Sequence, residues 1–85
     1  MFFVYILQCQ DGTYYTGYTN DINKRLQVHN EGKASKYTRT RLPVKIVYVE
    51  EFATKSEAMR KEIEIKNLPR LKKEHLVQAY QNRIT

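Results

Sequence analysis

Two short segments of strand-forming residues open the chain and are joined by a turn signal. Residues 2–9 form an apolar run rich in aromatic and β-branched side chains, which is typical of a strand buried on both faces. Gln10-Asp11-Gly12 supplies turn chemistry, and residues 13–19, with their three tyrosines, are predicted to form the returning strand. A hairpin whose first strand lies at the centre of a sheet is therefore the feature that most restricts the fold.

The hydrophobic period changes after this hairpin. Asn20 or Asp21 can cap a helix, and Gly32 is suited to end it. The segment of residues 33–41, which is rich in basic side chains, is predicted to form a loop that ends at Pro43. The chain thus passes from a hairpin into a first helix and then into a positively charged connection.

The second half of the chain predicts one more strand and two more helices. Residues 44–52 alternate between two sets of side chains, which indicates a third strand. Thr54-Lys55-Ser56-Glu57 has the spacing of a capping box and opens a helix that is predicted to end near Leu68. An amphipathic helix is predicted from about residue 70 to residue 80. The order ββαβαα indicates an α+β fold with a small three-stranded, mainly antiparallel sheet flanked by helices.

Length and composition restrict the class of protein. Eighty-five residues are enough for one compact core, so we expect a single domain over residues 1–85. No apolar run approaches the roughly 18 to 20 residues of a membrane span, and the N-terminus lacks the pattern of a signal peptide. Cys9 is the only cysteine, which excludes an internal disulfide and a multi-thiolate zinc site. We therefore expect a soluble, cytoplasmic protein that does not bind membranes.

The charge of the chain favours a polyanionic partner. Fifteen Lys and Arg residues against nine Asp and Glu residues give a formal net charge of +6. Five basic residues lie in a stretch without any acid: Lys33, Lys36, Arg39, Arg41 and Lys45. Tyr37 within that stretch offers a group on which a base can stack. A solvated loop and a phosphate-contacting surface are equally good interpretations of this pattern.

The first predicted helix carries polar residues beside an apolar seam. Ile22, Arg25, Leu26 and His29 share one face at spacings of three and four residues. An arginine in this position either extends its guanidinium to solvent or to a carboxylate, or takes part in catalysis. The sequence leaves both interpretations open.

The next helix places a carboxylate within an apolar stripe. Glu62 shares a face with Ala58, Ile65 and Leu68. A glutamate on a buried face costs several kcal/mol unless it is paired or binds a cation. An ion pair with Arg25 and a ligand for a hard metal ion are the two alternatives.

These residues together resemble the GIY-YIG nuclease domain over nearly the whole chain. Phe3-Val4-Tyr5 and Tyr15-Thr16-Gly17 resemble the paired GIY and YIG signatures, and Arg25 and Glu62 follow in the same order. The match is to the small stand-alone bacterial branch of uncharacterised proteins. Cross-strand aromatic pairing would explain the tyrosines without any chemistry. The sequence departs from the family pattern in Phe3 and Thr16, and in a basic stretch that contains no histidine.

The resemblance implies a metal-dependent endonuclease that hydrolyses phosphodiester bonds in DNA, with low sequence specificity or with selection by substrate structure. It implies a catalytic set drawn from the hairpin and two helices: Tyr5, Tyr15, Arg25, His29 and Glu62. Glu62 would hold one Mg²⁺ or Mn²⁺ ion, and Arg25 would contact the phosphate. Tyr5 would act as the base together with His29, which requires its pKa to be lowered from the ordinary value near 10. Tyr15 would orient the water or the phosphate.

The expected partner is nucleic acid, with DNA favoured over RNA, and a monomer is the expected state. The residues expected to contact it are one glycine and the basic stretch with its tyrosine: Gly17, Lys33, Lys36, Tyr37, Arg39 and Arg41. Two other functions stay open. The chain can be a non-catalytic nucleic-acid-binding module of the same fold, or a protein recruited by a partner through its amphipathic C-terminal helix.

Overall fold

Three antiparallel strands form the centre of the protein. The computed structural model describes residues 1–84, and its strands are β1 (Phe2–Gln8), β2 (Tyr14–Thr19) and β3 (Lys45–Phe52). β1 lies between the other two, in the order β2-β1-β3, and pairs antiparallel with both. The three-stranded antiparallel sheet, the opening hairpin and the central position of its first strand are confirmed.

β1 is buried on both faces because its side chains alternate between two apolar clusters. Val4 and Ile6 pack on one face, against the helices that follow β3. Tyr5 and Leu7 pack on the other face, against the first helix and the start of β3. A fully buried aliphatic side chain of this kind contributes about 1.5–3 kcal/mol to the hydrophobic free energy of folding. The face that carries Tyr5 is the one that bears on function.

Helices surround the sheet, and within residues 1–84 they are α1 (Ile22–Asn30), α2 (Lys36–Arg39), α3 (Lys55–Lys66) and α4 (Arg70–Ile84). The predicted order ββαβαα is observed with one addition, because the stretch 33–41 that was expected to be a loop contains α2. Ser35 caps this single turn by accepting hydrogen bonds from the backbone N–H groups of Tyr37 and Thr38. α4 is also four residues longer than the pattern indicates, since it continues past Tyr80 to Ile84.

Local capping residues define where the helices begin and end. Asp21, rather than Asn20, caps α1 by accepting a hydrogen bond from the backbone N–H of Lys24. Thr54 and Glu57 form the predicted capping box at the start of α3. Gly32 follows α1 with a φ of +77°, a conformation that glycine adopts without the steric cost of a Cβ. The helix ends are thus specified by the sequence itself.

The last residue of α1 ties this helix to the sheet. The side-chain amide of Asn30 donates to the carbonyl of Val44 at 3.1 Å and accepts from its N–H at 2.8 Å. Both polar groups of one backbone residue are satisfied by one side chain, so the position of α1 against the start of β3 is fixed.

Two expectations from composition concern the thiol and the membrane. Cys9 is a buried free cysteine, and burial raises the pKa of its thiol. A buried thiol of raised pKa is chemically inert, so Cys9 is a packing residue. Within residues 1–84, every helix is too short or too polar to cross a lipid bilayer.

Candidate active site

A cleft of about 440 Å³ lies where the β1–β2 hairpin meets α1 and α3. Its walls are formed by residues of these four elements and the segments next to them: Phe2, Tyr5, Tyr15, Gly17, Tyr18, Thr19, Asn20, Arg25, Lys55 and Glu62. Four of the five residues expected to be catalytic line it together. The fifth, His29, contacts Tyr5 from below. Catalytic candidates that are up to 57 positions apart in the sequence thus converge on one hollow.

Gly17 makes room for the phenol of Tyr5. The two residues face each other across the hairpin. A Cβ atom at position 17 would lie 2.5 Å from the Tyr5 hydroxyl oxygen and 2.7 Å from Cζ, closer than real Cβ contacts allow. Gly17 was expected to allow close approach of nucleic acid. The structure shows that its missing side chain admits the ring of Tyr5.

Tyr5, His29 and Thr38 form a chain of hydrogen bonds that starts at the cleft. The Tyr5 hydroxyl lies 3.0 Å from Nε2 of His29, and Nδ1 of His29 lies 3.0 Å from the hydroxyl oxygen of Thr38. Thr38 donates its own hydrogen to the carbonyl of Ser35 at 3.4 Å, so its oxygen accepts from Nδ1. Nδ1 therefore carries the proton of the neutral imidazole, and Nε2 accepts the hydrogen bond that Tyr5 donates.

The environment keeps both members of this pair neutral at rest. Burial raises the pKa of Tyr5, and the positive charge of Arg25 beside it offsets only part of this effect. Arg25 alone therefore does not supply the lowered pKa that a catalytic Tyr5 was expected to need, because desolvation is the larger influence. Burial, helped by the charge of Arg25, also lowers the pKa of His29 from 6.5 to about 4. At neutral pH the proton stays on Tyr5, and Nε2 of His29 is a free base beside it.

Arg25 lies beside the Tyr5 hydroxyl and presents one unsatisfied donor of its guanidinium to the cleft. Its Nε is buried and has no hydrogen-bond partner within the described residues. In the same part of the chain no carboxylate lies within ion-pair distance of its guanidinium, so the ion pair with Glu62 is not formed. A buried charged donor without a partner is costly, and an anion that enters the cleft would relieve that cost. A phosphate fits this role, because its several acceptor oxygens match the planar donor set of a guanidinium.

Glu62 projects from α3 into the cleft with its side chain 16% exposed. Its counter-ion is Lys66, one turn along the helix, with Nζ 3.7 Å from a carboxylate oxygen. This oxygen ligand is accessible to solvent and to a cation. The alternative that remained open in the sequence, an ion pair with Arg25, is replaced by a surface pair that leaves the carboxylate facing the cleft.

The donor chemistry of the cleft fits a magnesium or manganese ion. Across residues 1–84, His, Cys, Asp and Glu side chains do not gather in groups of three that could enclose a metal. Zinc sites need such a set of protein ligands. Mg²⁺ instead keeps several waters and binds through one or two carboxylates together with substrate phosphates. The cleft combines one carboxylate, that of Glu62, with an arginine whose Nε has no partner. This donor set suits a cation that binds together with a substrate phosphate.

Tyr37 and Arg41 extend the site beyond the cleft. The ring of Tyr37 stacks on that of Tyr15, with centroids 6.3 Å apart and an interplanar angle of 25°. The guanidinium of Arg41 lies 4.0 Å from the centroid of the Tyr37 ring, and its Nε is 3.0 Å from a carboxylate oxygen of Asp11. Two residues of the basic stretch are thus brought next to the β1–β2 hairpin.

The other residues of the basic stretch lie outside the cleft. Lys36 and Arg39 have exposed side chains, and Lys33 is 4.0 Å from a carboxylate oxygen of Glu31. None of the three lines the cleft. Their contact with nucleic acid stays a prediction.

Two residues of the site were not found from the sequence. Thr38 is fully buried and orients His29, but the two residues meet only in the folded protein. Lys55 lines the cleft seven residues before Glu62, which is two turns earlier on α3. This spacing of seven residues could have identified Lys55 from the sequence, because it places Lys55 and Glu62 on the same face of α3.

Comparison with known proteins identifies the fold around this cleft. Residues 1–75 match the family model described as the GIY-YIG catalytic domain. The chain belongs to the GIY-YIG family. Curated relatives of this GIY-YIG chain carry the name UPF0213 protein. One from Streptococcus pneumoniae is 49% identical over 81 residues, covering 95% of this chain and 82% of its own length. One from Halobacterium salinarum is 54% identical over 76 residues, covering 89% and 99%.

Two solved structures resemble the GIY-YIG chain in fold and sequence. The solution NMR structure of the UPF0213 protein from Bacillus halodurans is 51% identical with a TM-score of 0.61, and covers 93% of this chain and 85% of that one. The solution NMR structure of a protein from E. faecalis is 41% identical with a TM-score of 0.62, and covers 93% and 84%. The predicted membership in the GIY-YIG superfamily, in its small stand-alone branch of uncharacterised proteins, is confirmed, and the relatives from that branch are the UPF0213 proteins.

Proposed function

We propose that this protein is an endonuclease that hydrolyses phosphodiester bonds in DNA with one Mg²⁺ or Mn²⁺ ion. The observation that carries the proposal is one cleft that is lined both by the carboxylate-bearing Glu62 and by Arg25, whose buried Nε has no partner. Membership in a family whose model describes a catalytic domain supports it. Hydrolysis of a phosphodiester needs a nucleophilic water, charge stabilisation on the phosphate and stabilisation of the leaving oxygen.

Arg25 binds the scissile phosphate. Its guanidinium is always charged, and its buried Nε gains a hydrogen-bond acceptor when a phosphate oxygen enters the cleft. Because the donor already lies in the cleft without a partner, its position does not have to change on binding. The interaction strengthens as negative charge develops on the phosphate oxygens, so it stabilises the transition state more than the ground state.

Tyr5 and His29 remove the proton of the attacking water. The phenol oxygen accepts that proton while its own proton passes to Nε2 of His29 over the 3.0 Å hydrogen bond. A bound phosphate neutralises the charge of Arg25, and that charge is one of the two causes of the lowered pKa of His29. Substrate binding therefore makes His29 a stronger base. Thr38 receives the Nδ1 hydrogen throughout and holds the imidazole in the required orientation.

Glu62 is the residue that would hold the cation. When bound, the cation supplies charge stabilisation for the phosphate and for the leaving oxygen. Tyr15 lines the same cleft and would orient the phosphate or the water through its hydroxyl. These groups contact phosphate and water, which carry no sequence information, so we expect selection by the structure of the substrate and not by its bases.

The test is a cleavage assay on plasmid and branched DNA with Mg²⁺ or Mn²⁺, compared with EDTA. Glu62→Gln removes the negative charge with little change in shape, and cleavage should fall about 10²–10³-fold, the scale of losing one group that stabilises the transition state. Glu64→Gln is the matched control, because Glu64 lies on the same helix with its side chain 63% exposed and pairs with Lys61. It should cleave like the unaltered protein.

Equal cleavage by the Glu62→Gln variant and the unaltered protein would refute the proposed site. Cleavage that persists in EDTA would show that the reaction does not need a divalent cation. Binding of DNA without cleavage under either divalent cation would instead establish the non-catalytic binding module, whose affinity would survive EDTA and fall steeply with salt.

A further inference from the structure

A second groove, of about 300 Å³, lies beside the catalytic cleft and takes no part in the proposed reaction. Residues of β2, α2, α3 and α4 line it: Tyr14, Tyr15, Thr16, Tyr37, Lys66 and Lys73. Tyr15 lines both the groove and the cleft. A ligand in the groove would therefore lie directly next to the cleft.

The aromatic rings of the groove are backed by guanidinium groups. Arg41 lies 4.0 Å from the centroid of Tyr37, and Arg70 lies 4.0 Å from the centroid of Tyr14. Tyr37 remains 38% exposed although it also stacks loosely on Tyr15. Arg41 and Tyr15 flank the ring of Tyr37, so a base that stacks there uses the exposed part of the ring, and an arginine can add a cation–π contribution to it.

The groove also holds two ammonium groups. Lys66 is 51% exposed, and its partner is Glu62 of the cleft. Lys73 forms no ion pair within the described part of the chain. Among residues 1–84, no acidic side chain lines this groove. Its net field is therefore positive, which suits the phosphates of a polyanion.

We propose that this groove binds an unpaired, single-stranded segment of nucleic acid adjoining the phosphate that is cleaved. Unpaired bases stack on Tyr37, while Lys66 and Lys73 contact the phosphates. The inference rests on the proposed function for its position next to a scissile phosphate. A duplex presents phosphates and base edges, but its base faces are covered by their neighbours, so only an unpaired strand can use the aromatic wall.

The experiment measures binding alone, by fluorescence anisotropy in EDTA. The probes are a fluorescein-labelled oligothymidine and a duplex of the same length. We expect the single strand to bind at least about tenfold more tightly. Tyr37→Leu removes the stacking surface and should weaken single-strand binding roughly 5- to 150-fold, the range found for stacking aromatics. Lys73→Gln should weaken it and reduce the slope of log affinity against log salt by about 0.7.

Matched variants separate the groove from general charge. Tyr37→Phe keeps the ring and should bind like the unaltered protein. Lys72→Gln makes the same charge change on the neighbouring residue, which is exposed outside the groove, and should change the affinity much less than Lys73→Gln. Circular dichroism checks that the Tyr37→Leu and Lys73→Gln variants are folded.

Three results would overturn the proposal: equal affinity for duplex and single strand, unchanged binding by folded Tyr37→Leu and Lys73→Gln variants, or equal losses in Lys72→Gln and Lys73→Gln. The readout is independent of catalysis. Single-strand binding that depends on Tyr37 without cleavage in any divalent cation would refute the nuclease and leave the groove. Cleavage by a protein that does not prefer the single strand would support the nuclease and refute the proposed groove.

Discussion

The hydroxyl of Tyr5 occupies the volume where any residue other than glycine would place its Cβ at position 17. The backbone conformation of Gly17 is ordinary for a strand, since the positive φ angles of the described residues belong to Gly12 and Gly32. Glycine is needed here for space and not for backbone freedom. The second signature of the family thus exists in this protein to seat the tyrosine of the first.

Gly17→Ala is expected to push Tyr5 away from His29. A misplacement of about 1 Å costs roughly 10²-fold in rate, and forcing a methyl group into a packed site costs about 1–3 kcal/mol of the free energy of unfolding. Cleavage rates and urea denaturation measure the two effects.

Gly12→Ala is the control for this substitution. Gly12 has a φ of +85°, and a Cβ atom added there would have nothing within 4 Å, so alanine is strained in its backbone but meets no neighbour. Stability should fall while cleavage stays. A Gly17→Ala protein with the full cleavage rate would show that Tyr5 does not need its present position.

At the scale of elements, the smallest helix has the most specific effect on the site. α2 is a single turn, and it places the buried hydroxyl of Thr38 against Nδ1 of His29. The tautomer of His29, and with it the direction of the hydrogen bond from Tyr5, depends on that contact. A segment that is otherwise exposed and basic thereby determines which imidazole nitrogen faces the cleft.

Thr38→Val keeps the shape of the side chain and removes the acceptor for the Nδ1 hydrogen. Leaving a buried donor unsatisfied costs about 1–3 kcal/mol, and we expect cleavage to fall about tenfold or more as the imidazole loses its orientation. Thr38→Ser keeps the hydroxyl, so its stability and its cleavage rate should stay close to those of the unaltered protein. Nitrogen-15 NMR of the imidazole reports the tautomer directly. The same tautomer in the Thr38→Val and unaltered proteins would contradict this role.

The sequence predicts the elements well where they carry a period or a cap, and poorly where they do not. The three strands and the helices α1, α3 and α4 follow from alternation, helical spacing and capping residues. α2 has four residues, which is too few for a period, and its cap at Ser35 lies among residues typical of a loop. Lys66 and Lys73 look like solvated lysines on two helices, and only the packing of those helices beside β2 brings them into one groove.

The site residues follow the same division. Tyr5, Tyr15, Arg25 and Glu62 were predicted because their types and order match a family pattern, and the structure brings them to one cleft. The unpartnered Nε of Arg25 and the raised pKa of Tyr5 were not predictable, because both depend on burial in the folded protein. Their catalytic roles await the cleavage assay.

For the whole molecule, the neutral state of His29 makes stability depend on pH. The side chain is fully buried, and its pKa falls from 6.5 to about 4 on folding. Between these values the unfolded chain binds a proton that the folded protein does not, so stability decreases as the pH falls from 6.5 towards 4 and levels off below that. The loss is on the order of 3 kcal/mol, a large part of the 5–15 kcal/mol typical of a domain.

Urea denaturation between pH 4 and 7.5 tests this expectation, with the pH range set by the two values for His29. His29→Gln should lower stability at neutral pH and flatten its dependence on pH across this range. His75→Gln is the matched control, because His75 is exposed and is the other histidine of the chain, and it should leave the slope unchanged. A slope that is as steep in His29→Gln as in the unaltered protein would assign the effect to other groups.

The pairing of Lys66 with Glu62 means that the carboxylate already has a monovalent neighbour of positive charge 3.7 Å away. A divalent ion bound to this carboxylate would compete with the ammonium of Lys66, so its affinity would reflect the difference between the two attractions. The displaced ammonium stays on the groove wall, where its charge is again free to attract an anion. The proposed binding of a cation in the cleft and of a polyanion in the groove would then be thermodynamically linked, and each would increase the affinity for the other by the same factor.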